Sequence, residues 1–404
     1  MEFITGSIVA PKGFTASGIH CGIRKNRAKK DLALIYAENE CDAAAVYTQN
    51  KVKGAPIIVT QNHLKNGKAR AVLCNSGNAN TCNADGIEKA DKMCALLAVH
   101  LNIAQEDIII ASTGVIGQEL PIEPIRDGMA TLIKFLSKTE NDAAVDAIMT
   151  TDTRRKSTAV EFELGGSVCR IGGIAKGSGM INPNMATMLA FLTTDVDIDA
   201  AMLSTALMAA TIDSFNMLSV DGDTSTNDMA SIMASGLAGN PRITSECAEF
   251  EVFVEALRMI CTYLAREMAR DGEGATKLLE CMVENAPDIK SARIVAKTVI
   301  SSTLFKAAMF GSDANWGRVL CAVGYAPVDL DINLVNIDFE SIAGRIRVCR
   351  HGTGIDFSEN DATSILMRNE VKVIINLNAG ECSATAWGCD LTYDYVKING
   401  DYRT

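Results

Sequence analysis

Residues 185–192, MATMLAFL, form an apolar run closed on both sides by polar turn residues. Asn182, Pro183 and Asn184 precede it, and Thr193, Thr194 and Asp195 follow. A run that short, between turn signals, is best buried as a strand, and it is too short to cross a bilayer. Ahead of the turn lies a glycine-rich loop with Lys176, Gly177 and Gly179, and inside the run sits a single threonine, Thr187. A hydroxyl at the mouth of a buried strand is either a core threonine or a nucleophile. Pattern alone favours the core.

The remaining sequence predicts an α/β chain. With 404 residues it exceeds one ordinary hydrophobic core, which predicts two domains. The absence of repeats and of a Pro- or Ser-rich linker predicts that they pack closely. Apolar-rich runs at 32–37, 43–48 and 71–74 read as strands, separated by a short helix at 55–64. The stripe Ile87, Ala90, Cys94, Leu97, Leu101 predicts a helix over 85–101. A strand at 108–111 ends in Ser112, Thr113 and Gly114, where hydroxyls and backbone N–H groups can meet an oxyanion; the alternative is an ordinary strand-to-helix turn. Helices are predicted at 122–137 and 141–149. A hairpin at 158–164 and 167–171 turns on Gly165-Gly166 and feeds the central run.

Further on, helices are predicted at 199–214 and at 246–270, the latter with Ser245 as N-cap. Glycines flank Glu273, so its carboxylate can be presented at close range. A strand is expected at 278–283, a helix at 289–301 and a turn into a helix at 311–324. The last hundred residues read as strands at 328–339, 345–348, 371–377 and 382–396.

Charge, cysteine and histidine usage exclude several functions. A net charge of −11 argues against a nucleic-acid partner, and the one basic run, 24–30, reads as a solvated loop. Thirteen cysteines, with no C-x-x-C pair and no signal peptide, read as free thiols in a reducing cytoplasm. No apolar stretch approaches a membrane span. Neither His20, His63, His100 nor His351 has metal-ligand spacing, so neither a metal nor a tightly bound cofactor is expected. The turn 221–228 resembles a calcium loop but lacks glycine at its sixth position and an acid at its twelfth, where Ile232 stands. Phosphate-cradle and serine-hydrolase motifs are also missing. A threonine at a new N-terminus needs no histidine: its own α-amine, which ordinarily titrates at about 7.7–8, serves as base. The peptide bond before Thr187 must then be cut, and the turn at 182–184 could strain it towards an N-to-O acyl shift.

At this point the chain resembles the ornithine acetyltransferase family, the bifunctional glutamate N-acetyltransferases of the cyclic arginine pathway. KGSGMINPNMATMLAFLTTD resembles the family's self-processing motif. NSGNAN from Asn75, STGVIG from Ser112, TTDT from Thr150, VDGDTSTND from Val220, GEGATK from Gly272, NWGR from Asn315 and the tail from Trp387 follow in the family's order. The resemblance implies an α/β fold of two closely packed domains of layered sheets and helices, self-cleaving, with an N-terminal threonine nucleophile. Cleavage between Ala186 and Thr187 would give an α chain, 1–186, and a β chain, 187–404. Thr187 would take acetyl from N-acetylornithine and pass it to glutamate, with acetyl-CoA as a further donor. Thr113 and Gly114 would form the oxyanion hole. Thr153, Lys176, Thr187, Glu273, Asn399 and Thr404 would bind substrate, and paired chains would assemble as a heterotetramer. The Arg154-Arg155 pair after TTDT departs from the family pattern. Two rival readings are a self-processing amidohydrolase or aminopeptidase with water as acceptor, and a non-catalytic binding protein with an intact chain.

Overall fold

The structure, a computed structural model, describes residues 1–139, 142–182 and 188–401. In chain order its strands begin with β1 (Glu2–Ile4), β2 (Phe14–Ile19), β3 (Leu32–Tyr47), β4 (Lys68–Asn78), β5 (Ile108–Val115), β6 (Lys156–Leu164), β7 (Ser167–Lys176) and β8 (Leu189–Thr194). They continue with β9 (Leu218–Ser219), β10 (Met229–Ala234), β11 (Leu278–Ala286) and β12 (Asn336–Ser341). The last are β13 (Gly344–Arg350), β14 (Thr353–Gly354), β15 (Glu370–Asn376) and β16 (Cys382–Cys389). The chain divides into two compact units, each made of discontinuous segments. Unit 1 comprises Met1–Gly177, Asn184–Ile212 and Thr224–Leu264; unit 2 comprises Ser178–Pro183, Asp213–Asp223 and Ala265–Thr404.

Unit 1 is built on a nine-stranded mixed sheet of order β1-β6-β7-β8-β10-β3-β4-β5, with β2 also paired to β3. Strands β8 and β10 and the first part of β3 read as near-continuous apolar runs because both their faces are buried. Along β3, Leu32 and Leu34 join a cluster with Leu97, Met129 and Leu132 from the helices Gly86–Leu101 and Glu123–Lys134. The alternate residues Ala33 and Ile35 join a second cluster with Val145 and Ile148 of the helix Asp142–Ile148 and with Phe191 of β8. The period of two sends neighbours to opposite cores. The two strands expected at 32–37 and 43–48 are one strand, β3. Its pairing with β4 slips between Tyr36 and Cys41, the irregularity that polar residues 38–40 announce as a break in the apolar pattern. The β6–β7 hairpin has the expected register, Leu164↔Ser167 around Gly165-Gly166.

Unit 2 carries a seven-stranded sheet of order β14-β13-β12-β15-β11-β16-β9. The helix Ile289–Ser301 packs on β11 and β16 through Ala292, Val295, Ala296, Val299 and Ile300, all fully buried. Each buried Val or Ile contributes about 1.5–3 kcal/mol. Asp288 caps this helix, accepting from the Ser291 N–H at 2.8 Å.

Several expected elements differ. The helix expected at 246–270 is Ala248–Arg270, so Ser245 stands outside its cap position. Residues 328–335 are not a strand despite alternating apolar and polar residues. Asp331 Oδ1 instead accepts from the Asn333 N–H at 2.9 Å and closes a 3-10 turn at Ile332–Leu334. The final strand stops at Cys389, and Tyr393–Asp401 is a helix.

Candidate functional site

Unit 1 places the expected oxyanion residues at the end of β5. Parallel pairing sets Ser76 beside Thr113 and Gly77 beside Gly114. Gly114 has φ +134°, and a Cβ there would lie 2.4 Å from the Gly77 carbonyl carbon, so no other residue fits. The asparagines of the NSGNAN stretch fix this strand end. Asn75 Nδ2 donates to Asn78 O at 2.9 Å, Ser112 Oγ donates to Asn75 Oδ1 at 2.5 Å, and Asn78 Nδ2 donates to the Gln118 carbonyl at 3.1 Å. From the other side Asn227 Nδ2 donates to Ser112 O at 2.9 Å. Side-chain amides thus hold the backbone around Thr113, as a preorganised donor site requires.

Lys176 ends β7. It is 8% exposed, and its Nζ lies 3.5 Å from Thr113 Oγ1, the outer limit of a hydrogen bond. Antiparallel pairing sets Lys176 opposite Leu189 of β8. Beside it, Asp152 accepts from the Gly177 N–H at 2.9 Å, from Lys156 Nζ at 2.7 Å and from the Thr150 N–H at 2.9 Å. Burial pushes the Asp152 carboxyl up. Lys156, Lys176 and the hydrogen bonds pull it down further, leaving it below its ordinary range. Thr153, the next residue, is exposed.

Unit 2 carries the second group. Glu273 is 9% exposed and its carboxylate accepts from Asn399 Nδ2 at 2.7 Å. Asn399 lies on the terminal helix, which Thr392 anchors by donating its hydroxyl to Gly274 O at 2.7 Å. The terminal segment therefore does fold back onto the GEGATK loop. Gly179 abuts the same carboxylate, since a Cβ there would lie 2.4 Å from Glu273 Oε2. The loop around Gly179 is held by Asp221, which accepts from the Met180 N–H at 2.6 Å and the Ile181 N–H at 2.8 Å. Ser178 (φ 102°) and Met180 (φ 57°) both take positive φ, a costly backbone for residues with a side chain. Asp221 belongs to the turn that resembles a calcium loop; its carboxylate serves backbone N–H groups instead.

Ala186, Thr187 and Thr404, and Pro183 and Asn184 of the turn expected at 182–184, lie outside the described residues. Sequence reasoning missed Asp152 and Asp221. Both stand in motifs noted above, but their partners are set by strand pairing and loop approach, which no local pattern shows. Among the described residues, no cluster of side chains is arranged to hold a metal ion.

Donors suited to an oxyanion in unit 1, and a carboxylate–amide pair suited to an ammonium in unit 2, are the equipment of an α/β enzyme that handles amino acids. Comparison with known proteins narrows this. The ArgJ family model matches residues 15–404. The arginine biosynthesis bifunctional protein ArgJ of Caldanaerobacter subterraneus subsp. tengcongensis is 48% identical over 405 residues, covering 100% of both chains. That of Symbiobacterium thermophilum is 50% identical over 406 residues, again covering 100% of each. A crystal structure of the Bacillus halodurans arginine biosynthesis bifunctional protein ArgJ aligns with a TM-score of 0.50 and 46% identity, covering 52% of this chain and 98% of that one. The chain belongs to the ArgJ family.

Proposed function

We propose that this chain cuts itself between Ala186 and Thr187 and then transfers acetyl from N-acetylornithine to glutamate. The new α-amine of Thr187 takes the proton of its own hydroxyl as the hydroxyl oxygen attacks the acetyl carbonyl. Thr113 and Gly114 stabilise the oxyanion. Collapse of the tetrahedral adduct breaks the amide bond, the proton passes to the leaving amine, and ornithine departs from an acetyl-Thr187 ester. The glutamate amine then attacks the ester, giving N-acetylglutamate and the free threonine. Lys176 and Thr153 serve substrate on one side, Lys176 through an α-carboxylate. Glu273, Asn399 and Thr404 serve it on the other, Glu273 through an ammonium.

The observation that carries this reading is the pairing of Lys176 with both Thr113 and Leu189, 3.5 Å away and in strand register respectively. The reading is supported by the approach of β5, Lys176 and the start of β8, which lies two residues after Thr187 in sequence. Further support comes from the solved relative, whose chain is about as long as one processed half of this one. The word bifunctional in the relatives' names supports acetyl-CoA as a second donor. No other cofactor enters the mechanism. The two products of cleavage stay together and assemble as a heterotetramer in the cytoplasm.

A denaturing gel of purified protein tests the cleavage: two bands are expected, one slightly under and one slightly over half of 43.1 kDa. The larger should begin at Thr187. Thr187→Ala should give one uncut chain without transfer activity. A single full-length band from active wild-type protein refutes the reading, and acetyl release to water without transfer to glutamate makes the chain an amidohydrolase instead.

A further inference from the structure

The basic run 24–30 has no part in the reaction as described above. Arg24, Lys25, Arg27, Lys29 and Lys30 put five cations in seven residues of a chain whose net charge is −11, with no acid among them. In the structure this loop is fastened rather than slack. Asp31, fully buried, accepts from the N–H groups of Cys21, Gly22 and Arg24 at 2.6, 3.2 and 3.0 Å. The Ala28 N–H donates to Asn26 Oδ1 at 3.0 Å. Arg24 Nη2 donates to the Met149 carbonyl and Lys29 Nζ to the Thr150 carbonyl, the latter at 3.2 Å, which ties the loop to the TTDT stretch.

Its seat is the strand end that holds the oxyanion residues. The Ser76 N–H donates to Asp31 O at 2.9 Å. A Cβ on Gly77 would lie 2.7 Å from Arg24 Cγ, so the arginine stem rests on the glycine that pairs with Gly114. Burial pushes the Cys74 thiol up to about 12 against a smaller pull from Lys176 and Arg24, so both cations stand near this residue of β4. Lys25 and Arg27 are exposed, and neither has an ion pair among the described residues. Lys30 reaches Asp146 at 3.9 Å, but Arg155 already holds that carboxylate. A chain with 49 acidic residues thus leaves a cluster of one sign uncompensated beside its reaction centre. Such a cluster raises the local concentration of an anion.

The reactants differ in what they offer such a cluster. Glutamate and N-acetylornithine are small and end close to the reacting atoms, whereas acetyl-CoA carries its phosphates at the far end of a long arm from its thioester. We propose that Lys25 and Arg27, on the exposed side of the loop 24–30, hold the phosphates of acetyl-CoA while its thioester carbonyl lies at Thr113 and Gly114. This rests on the acyl-transfer reading and names the residues that take its second donor. Arginine offers paired N–H groups to phosphate oxygens, and lysine a compact point charge. At the thioester a bond forms between the Thr187 hydroxyl oxygen and the acetyl carbon, the C–S bond breaks, and the hydroxyl proton passes through the amine to the departing thiolate. The phosphates keep their charge throughout, so Lys25 and Arg27 hold ground and transition states alike and act on binding alone.

The double variant Lys25→Gln with Arg27→Gln tests this on the full-length protein, because both side chains are exposed and make no hydrogen bond within the described residues. With glutamate as acceptor, KM for acetyl-CoA should rise about 10-fold at unchanged kcat, as loss of uniform binding does. Two other donors serve as controls: N-acetylornithine, and the acetyl thioester of N-acetylcysteamine, which has no phosphates. Their KM values should stay where the wild type has them. Added KCl should raise KM for acetyl-CoA in the wild type and much less in the variant. A wild-type KM for acetyl-CoA in the variant overturns the proposal, and so does an equal rise for the phosphate-free thioester. Should the double variant misfold, the single variants Lys25→Gln and Arg27→Gln decide: a rise of about 3-fold from each upholds the subsite, and wild-type values from both overturn it. Wild type run beside them separates the two ideas. Transfer from N-acetylornithine but not from acetyl-CoA overturns this proposal alone, whereas transfer from neither sinks the acyl-transfer reading itself.

Discussion

Replacing Asp152 with leucine should destabilise unit 1 far more than an exposed ion-pair mutation would. Lys156 is 1% exposed, and its ammonium donates to Asp152 Oδ1 at 2.7 Å and to the Arg154 carbonyl at 3.0 Å. Removing the carboxylate breaks a buried ion pair by deleting one partner, for which about 3–5 kcal/mol is typical. The Thr150 and Gly177 N–H groups lose their acceptor as well. Against a total stability of about 5–15 kcal/mol this is a large fraction. The double variant Asp152→Leu with Lys156→Met removes both charges and should recover most of the loss. Tryptophan fluorescence is the wrong probe, because Trp316 and Trp387 both lie in unit 2. Amide hydrogen exchange of peptides covering β6 and β7, followed across a urea series, reads the right region. The same pair sets an acid sensitivity. The folded pKa of Asp152 is lowered, so its stabilisation is fully present above an unfolded value of about 3.9 and is lost as pH falls through the lowered one. A single variant costing under about 1 kcal/mol, where buried pairs typically cost several, or a double variant no more stable than the single, would refute this account of the pair.

Two further outcomes follow from the site. Thr113→Ala should lower kcat about 10²-fold while leaving self-cleaved protein folded, as loss of one oxyanion donor does; single-turnover acetylation measures it, and an unchanged kcat removes Thr113 from that role. Gly179→Ala puts a methyl 2.4 Å from Glu273 Oε2 and should swing the carboxylate away from Asn399. Because the clash falls on a flexible side-chain end, the expected result is a raised KM for the amino-acid substrates with little change in melting temperature; a changed melting temperature at constant KM would contradict it.

Much of the architecture is legible in the sequence because local and tertiary preferences agree. The double-faced burial of β3 shows as the unbroken run LALIYA, and Gly165-Gly166 fixes a hairpin register that the structure reproduces. What fails is alternation without a sheet to join. Residues 328–334 alternate, yet an aspartate side chain captures the backbone first. The tail from Tyr393 carries aromatic and β-branched residues suited to a strand, but the Thr392 anchor and the Asn399–Glu273 bond hold it as a helix. β2 escapes notice since FTASGI is small and partly polar; its Gly18 packs so tightly on the Ala143 carbonyl that a side chain is excluded. At the site, glycines and lysine announce themselves in motifs. The aspartates that hold the loops do not, because an acceptor for backbone N–H groups looks the same in sequence as any solvated acid.

The strand order of unit 1 carries a consequence for the cleaved molecule. β8 and β10, which follow the proposed cut, stand side by side with β7 on one flank and β3 on the other, both of which precede it. The central strands of the sheet thus come from one product and the outer strands on either side from the other. Neither product owns the whole of this sheet, so cleavage changes the molecularity of its folding. The precursor assembles its sheet in a first-order process, whereas unfolded cleaved protein must find its complement in solution, and its recovery becomes dependent on concentration.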